Sequence, residues 1–165
     1  MHGMADIGSS QQTHPNATEL GCVMTPQERA EKSANAMWST DDASAWLGMS
    51  LAEVGPGFAI TKLTVRKHHT NGHNICHGGI IFSLADSAFA FACNSYNKLV
   101  VAQHNTISFI KPGNLGDELT ATAREISLTG RNGIYDVQVT RADGSVVAEM
   151  RGCSRQVSGQ HFDEG

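Results

Sequence analysis

With 165 residues, 40% of them hydrophobic and 17% charged, the chain has ordinary globular composition and enough length for one domain with a true core. The formal net charge of −4 excludes a general basic field of the kind that holds nucleic acid, so a polyanionic ligand would meet only a few local cations. Cys22, Cys76, Cys93 and Cys153 lie far apart with no CxxC pair, which points to reduced thiols in a cytoplasmic protein rather than a disulfide framework.

Residues 1–25 are rich in Gly, Ser, Gln, Thr and Asn, without a basic n-region or an apolar h-region, and are expected to be a loosely ordered segment rather than a signal peptide. Thr25-Pro26-Gln27-Glu28 supplies a cap residue, a proline for the first helical position and an early acidic group. A helix over 26–38 is predicted from it, with a further turn reaching Leu47. The period then changes to two. Residues 49–53 and 58–67 read as strands joined through Gly55-Pro56-Gly57. A polar loop, 68–77, leads into an apolar helix of about 16 residues that begins at Gly78-Gly79 and is too short to span a bilayer. Four strands follow, near 99–110, 117–128, 133–141 and 145–156, the last two joined by Ala142-Asp143-Gly144. Domain limits of 26–157, with a tail over 158–165, follow from this pattern. The order favours an α+β fold in which an antiparallel sheet wraps one long central helix.

That helix carries the chemistry. Ser83, Asp86 and Ser87 stand at i, i+3 and i+4 and share a face, which Gly79 and Ala90 extend as small residues. The plainer reading of Asp86 is a buried carboxylate satisfied by Ser83, by Ser87 or by a neighbouring strand. The approach to the helix argues for more. Gly78-Gly79, which on its own reads more plainly as a tight turn, leaves free N–H groups at the positive end of the helix dipole, where a ligand can come close to the backbone. Such donors suit a thioester carbonyl oxygen, whose charge grows in the transition state. Gly78 and Asp86 are separated by about 12 Å of helix, too far to act on one carbonyl. A shared reaction therefore requires two subunits, with donors from one and the carboxylate from the other.

The block over 71–94, notably HGGxxFxLADxAFAxACN, closely resembles the phenylacetate-degradation type of hotdog acyl-CoA thioesterases. So do Thr106-Ile107-Ser108-Phe109-Ile110-Lys111-Pro112-Gly113 and Gly116-Asp117-Glu118-Leu119-Thr120-Ala121, and the likeness spans roughly residues 30–157. The resemblance implies a hotdog fold, dimers that commonly form tetramers, and hydrolysis of an aryl- or arylacetyl-CoA without a cofactor. It implies that Asp86 attacks the thioester or activates water, that Gly78 gives the oxyanion N–H from the other subunit, and that Asn71 and His77 orient water or substrate. A serine that assists in one branch of the family corresponds here to Ala102, so that role does not transfer.

For the coenzyme A moiety the candidates are Gly79, Lys111, Arg131 and Asn132, with Arg151 and Arg155 behind them. Arg131 in Thr129-Gly130-Arg131-Asn132-Gly133 stands at a sheet end suited to a phosphate; a solvated cation is an equal alternative for it and the plainer reading for Lys111. Phe82, Phe89 and Phe91 either line an aryl pocket or fill the core. His68, His69, His73, Cys76 and His77 invite a metal, but the glycines around them argue for loop, and no metal is expected. A hotdog hydratase and an acyl-CoA-binding sensor are the competing functions.

Overall fold

The computed structural model describes residues 23–164; most of the expected N-terminal segment, Cys22 and Gly165 lie outside the described residues. Helix α1 (Pro26–Trp38) starts where the cap residues require. Thr25 Oγ1 accepts from Glu28 N–H at 3.2 Å, and Glu28 Oε2 accepts from Thr25 N–H at 2.8 Å, a reciprocal capping box. Helix α2 (Asp42–Leu47) is capped by Asp41 and stopped by Gly48 at φ +72°, a backbone conformation that favours glycine. Strands β1 (Met49–Gly55) and β2 (Phe58–Thr64) turn through Pro56-Gly57, with Gly57 at φ +66°.

Strand β2 ends three residues before the alternation predicts. Val65 N–H still reaches Asp117 O at 2.9 Å, but Arg66 N–H turns aside to His69 Nδ1 at 3.0 Å and Lys67–His69 closes a 3-10 turn. Helix α3 (Gly78–Cys93) follows, then β3 (Val100–Phe109), β4 (Glu118–Thr129), β5 (Asn132–Arg141) and β6 (Val146–Gln156). The sheet order is β1-β2-β4-β5-β6-β3, antiparallel throughout. Helix α3 packs against all six strands. The α+β hotdog expectation therefore holds.

The packing explains why this helix is central. Leu84, Ala85, Ala88, Phe89 and Ala92 are fully buried, and the Phe89 ring meets Tyr135 edge-on at 5.5 Å between centroids. Three alanines on α3 let the sheet come close, where Ala121, Ala123, Val137 and Val139 face it. Each large apolar side chain buried in this way contributes about 1.5–3 kcal/mol. Ile81, Leu84, Phe89 and Phe91 all come from α3, so the helix can carry one carboxylate without losing its place in the core. Beyond β6 the chain folds back. Val157 N–H donates to Leu99 O at 2.8 Å, Leu99 N–H to Gly159 O at 3.1 Å, and Glu164 pairs with Arg29 at 2.8 Å.

Strand β6 contains one residue whose lack of a side chain matters to the site. A Cβ on Gly152 would lie 2.8 Å from the Phe89 ring and 3.1 Å from Asn105 Oδ1. Gly152→Ala is expected to destabilise by about 1–3 kcal/mol through overpacking, read as a lower urea midpoint at unchanged slope.

Candidate active site

The polar strip on α3 survives folding, but its members take different partners. Ser83 Oγ donates to Gly79 O at 2.8 Å, and Ser87 Oγ pairs with Ser44 Oγ of α2 at 3.1 Å. Asp86 uses neither serine. Its Oδ1 accepts from Asn105 Nδ2 of β3 at 2.7 Å. Burial pushes the half-buried Asp86 carboxyl above the ordinary carboxylate range, and the Asn105 donor pulls partly back.

The other half of that amide is not satisfied: Asn105 Oδ1 is buried without a hydrogen-bond partner. Leaving such an acceptor bare costs about 1–3 kcal/mol, and a hydrogen bond to a charged group returns about 1.5–3 kcal/mol. The two are of similar size, so the amide gains the fold little.

Asp86 opens into a cleft of about 300 Å³ whose walls come from α1, α2 and α3, including Met37, Ser44, Leu47, Phe82 and Phe91. Of the three phenylalanines weighed above, Phe89 belongs to the core alone; Phe91 is buried but shares a wall of the cleft with Phe82.

The start of α3 opens elsewhere. Gly78 borders a groove of about 410 Å³ together with Asn71, Cys76, Ile81, Phe109 and Lys111. The Phe109 ring lies so close that a Cβ on Gly78 would stand 3.1 Å from it. The next N–H, of Gly79, is taken by His77 Nδ1 at 2.9 Å, whereas the Gly78 N–H has no acceptor among the described residues. His77 is thus the N-cap of α3, and with Nδ1 accepting, the proton of its neutral ring sits on Nε2. Asn71 Oδ1 closes the loop by accepting from His73 N–H at 2.9 Å.

Within one chain the sequence candidates therefore divide between two separate cavities. Gly78, Asn71 and Lys111 share the groove at the head of α3, and exposed Gly79 stands beside the His77 ring. Asp86 lies two turns further along, in the other cleft. Arg131 and Asn132 stand at the β4–β5 hairpin with neither. Asn132 Oδ1 accepts from Arg155 at 3.2 Å, and Arg131 lines a small recess with Cys93 and Tyr96. Arg151 is engaged with Asp136 at 2.7 Å on the outer face of the sheet.

Burial holds the Cys76 thiol at about 11 and Cys93 at about 12, so neither offers a thiolate nucleophile near neutrality. No cluster of three or more metal-ligating side chains occurs among the described residues. None of their helices is long and apolar enough to cross a membrane.

Comparison with known proteins is decisive on family. The thioesterase superfamily model matches residues 73–148. The acyl-coenzyme A thioesterase PaaI of Escherichia coli K12 is 41% identical over 131 residues, covering 79% of this chain and 94% of that protein. The chain belongs to the thioesterase superfamily. Its fold matches the solved E. coli PaaI protein with a TM-score of 0.81 at 40% identity, over 82% of this chain and 99% of that one. A variant of the phenylacetic acid degradation protein PaaI from Thermus thermophilus gives 0.69 at 32% identity, over 71% and 100%. This thioesterase is accordingly a hydrolase acting on thioester bonds.

Sequence reasoning missed Asn105 and the part played by Ser44 and the α1–α2 wall. The signal for Asn105 was available: it has the same strand parity as Ile107 and Phe109, so a polar residue stands on the inward face. For Asp86 the sign of the pH effect is fixed. Its folded-state pKa is raised, so any stability contribution is present below the unfolded-state value and is lost as pH rises through the folded one. At pH 7 the buried charge is a burden. Asp86→Asn is expected to keep or raise Tm at pH 7, with the gain shrinking toward acid pH; a fall in Tm at pH 7 would contradict this.

Proposed function

We propose that this thioesterase hydrolyses aryl- or arylacetyl-CoA, with phenylacetyl-CoA or a ring-hydroxylated relative as substrate, in a site shared between two subunits. The observation that carries the reading is the half-buried Asp86 carboxylate at the wall of a cleft of about 300 Å³. An apolar cavity of about 150 Å³ already accepts benzene, so this volume suits a single-ring acyl group. Ser44 and Ser87 offer hydroxyls to a ring substituent. The E. coli relative is named an acyl-CoA thioesterase and comes from the phenylacetic acid degradation operon, which supports the same class.

In this scheme Asp86 either attacks the thioester carbon, expelling the CoA thiolate, or takes a proton from the attacking water. Both need it ionised. The Gly78 N–H of the other subunit faces the developing oxyanion, while Asn71 and His77, through its outward Nε2–H, orient substrate or water. The helix geometry supports the sharing, since Gly78 and Asp86 border different cavities of the same chain.

The sheet supports it too. Among the described residues strand β3 pairs on one side only, with β6; it is ten residues long, with Val101 and Phe109 about half exposed. An open apolar edge of this kind is a template for pairing with a second copy. Dimers joined at β3 bring the helices antiparallel, and tetramers of such dimers in the cytoplasm complete the proposal. Lys111, beside Gly78, and Arg131 with Asn132, at the hairpin, are the groups offered to CoA phosphates.

Thiol release from phenylacetyl-CoA, benzoyl-CoA and an aliphatic acyl-CoA tests the substrate class; fast release with an aryl preference is expected. No release from a folded oligomer would favour a hydratase or a CoA-binding sensor instead. Asp86→Asn is expected to lose at least about 100-fold in kcat, in line with removal of a general base or nucleophile. A near wild-type rate would remove Asp86 from the mechanism. The acid limb of kcat/KM should lie above the ordinary aspartate value of 3.8, since burial raises the carboxyl. Mixing Asp86→Asn chains with chains blocked at Gly78 should restore part of the activity, and no recovery in verified mixed oligomers would argue against a shared site.

A further inference from the structure

Three elements bring polar groups toward Asp86, and only one of them donates to its carboxylate. On α3, Ser83 Oγ donates to Gly79 O, and Ser87 Oγ shares a single hydrogen bond with Ser44 Oγ, so neither α3 hydroxyl bonds to Asp86. From the α2 end, Asp41 lines the same cleft, but its Oδ1 accepts from Ser44 N–H at 3.0 Å as the cap of that helix. Strand β3 contributes Asn105, whose Nδ2 at 2.7 Å is the sole hydrogen-bond donor to the carboxylate among the described residues.

The local structure is arranged around that amide. A β-bulge between Ala102 and His104 shifts the register of β3, so that Ala102 stands opposite Ser154 and Asn105, three residues on, opposite Gly152. Opposite Asn105 in the ladder is Gly152, where any Cβ would crowd both Phe89 and Asn105 Oδ1. The Oδ1 atom is buried and unpaired, a cost that an apolar side chain would avoid. A residue chosen only for packing would not carry this amide.

We infer that Asn105 is a positioning residue for thioester hydrolysis, holding Asp86 Oδ1 so that Oδ2 is left to face the reacting group in the cleft. The inference rests on Asp86 being the reacting carboxylate. The same donor favours the ionised form of Asp86 against the opposing effect of burial. Other titratable groups near it are few. Asp41 comes from the α2 end and the buried Cys93 thiol from α3, while α1 and β1 present Met37 and Met49. His104, Arg151 and Cys153 line a groove on the outer face of the sheet and do not face it.

The test is the pH dependence of kcat/KM for the oligomeric protein with phenylacetyl-CoA, or with the panel thioester that turns over fastest. Asn105→Ala is expected to lower kcat about 10- to 100-fold with little change in KM, as misplaced catalytic groups do. It should also move the acid limb upward by about one pH unit, since a donor to the charged form is gone. Asn105→Asp should move the limb further, because two carboxylates in hydrogen-bond contact resist joint ionisation. Should the alanine variant fail to assemble, Asn105→Val suits a strand, carries no donor and gives the same readout.

An acid limb that stays in place in these variants, with only a lower Tm or a uniformly lower rate, would overturn the inference and leave Asn105 a packing residue. The two readings fail separately. An active Asp86→Asn variant removes the reacting carboxylate itself, whereas an inactive Asp86→Asn with an unmoved limb in Asn105→Ala removes the positioning role alone.

Discussion

Helix α3 has too little polar surface to stand in water, and the rest of the molecule is arranged to hide it. Sixteen residues, from Gly78 to Cys93, include Ile81, Leu84, Phe89 and Phe91 together with alanines at 85, 88 and 92. A helix apolar on nearly every side needs a cover that curves round it, and one antiparallel sheet of six strands provides it. The outer helices complete the enclosure along the strip where α3 is not apolar. Ser44 of α2 meets Ser87 there, and Met37 of α1 closes the cleft beside Asp86.

The burial that makes the fold also sets the chemistry. A carboxylate on the surface would be fully solvated and ordinary in its acidity. On α3 it is partly desolvated, its carboxyl is raised, and it has one donor from β3 to balance that loss. The fold gives up some stability at neutral pH to keep an ionisable group in an apolar cleft, a pattern common to working sites. Cysteines buried in the same core show the opposite consequence. Cys76 and Cys93 are pushed so far up that they remain packed thiols.

Helix geometry then divides the proposed machinery. An N-terminal N–H and a side chain two turns along cannot converge on one atom of a small ligand, and in this chain they open into separate cavities. Strand β3, which ends the sheet among the described residues, also carries Asn105 to Asp86 and Phe109 to Gly78. One strand thus contacts both Asp86 and the head of α3. Pairing along that edge would couple assembly to the precise placement of the carboxylate, which places the proposed oligomer and the proposed reaction under the same physical constraint.

Much of this was legible in the sequence because it depends on local rules. The Thr25–Glu28 cap, the Pro56-Gly57 turn, the glycine pair before the apolar helix and the period-two runs fix elements through backbone sterics and alternation, and the motif around Gly78 and Asp86 marks the family. The spacing of Gly78 and Asp86 along one helix already separates them. What the linear pattern does not hold is which strand crosses beneath a given helical turn. The pairing of Asn105 with Asp86 depends on the position of β3 beside β6, on a bulge after Ala102 and on the space left by Gly152. The capping of α3 by His77 depends on a ring turned back onto Gly79, and the early end of β2 on Arg66 finding His69. Local propensities and a family motif are written along the chain; contacts between residues distant in sequence are set by register and packing, which only the folded molecule decides.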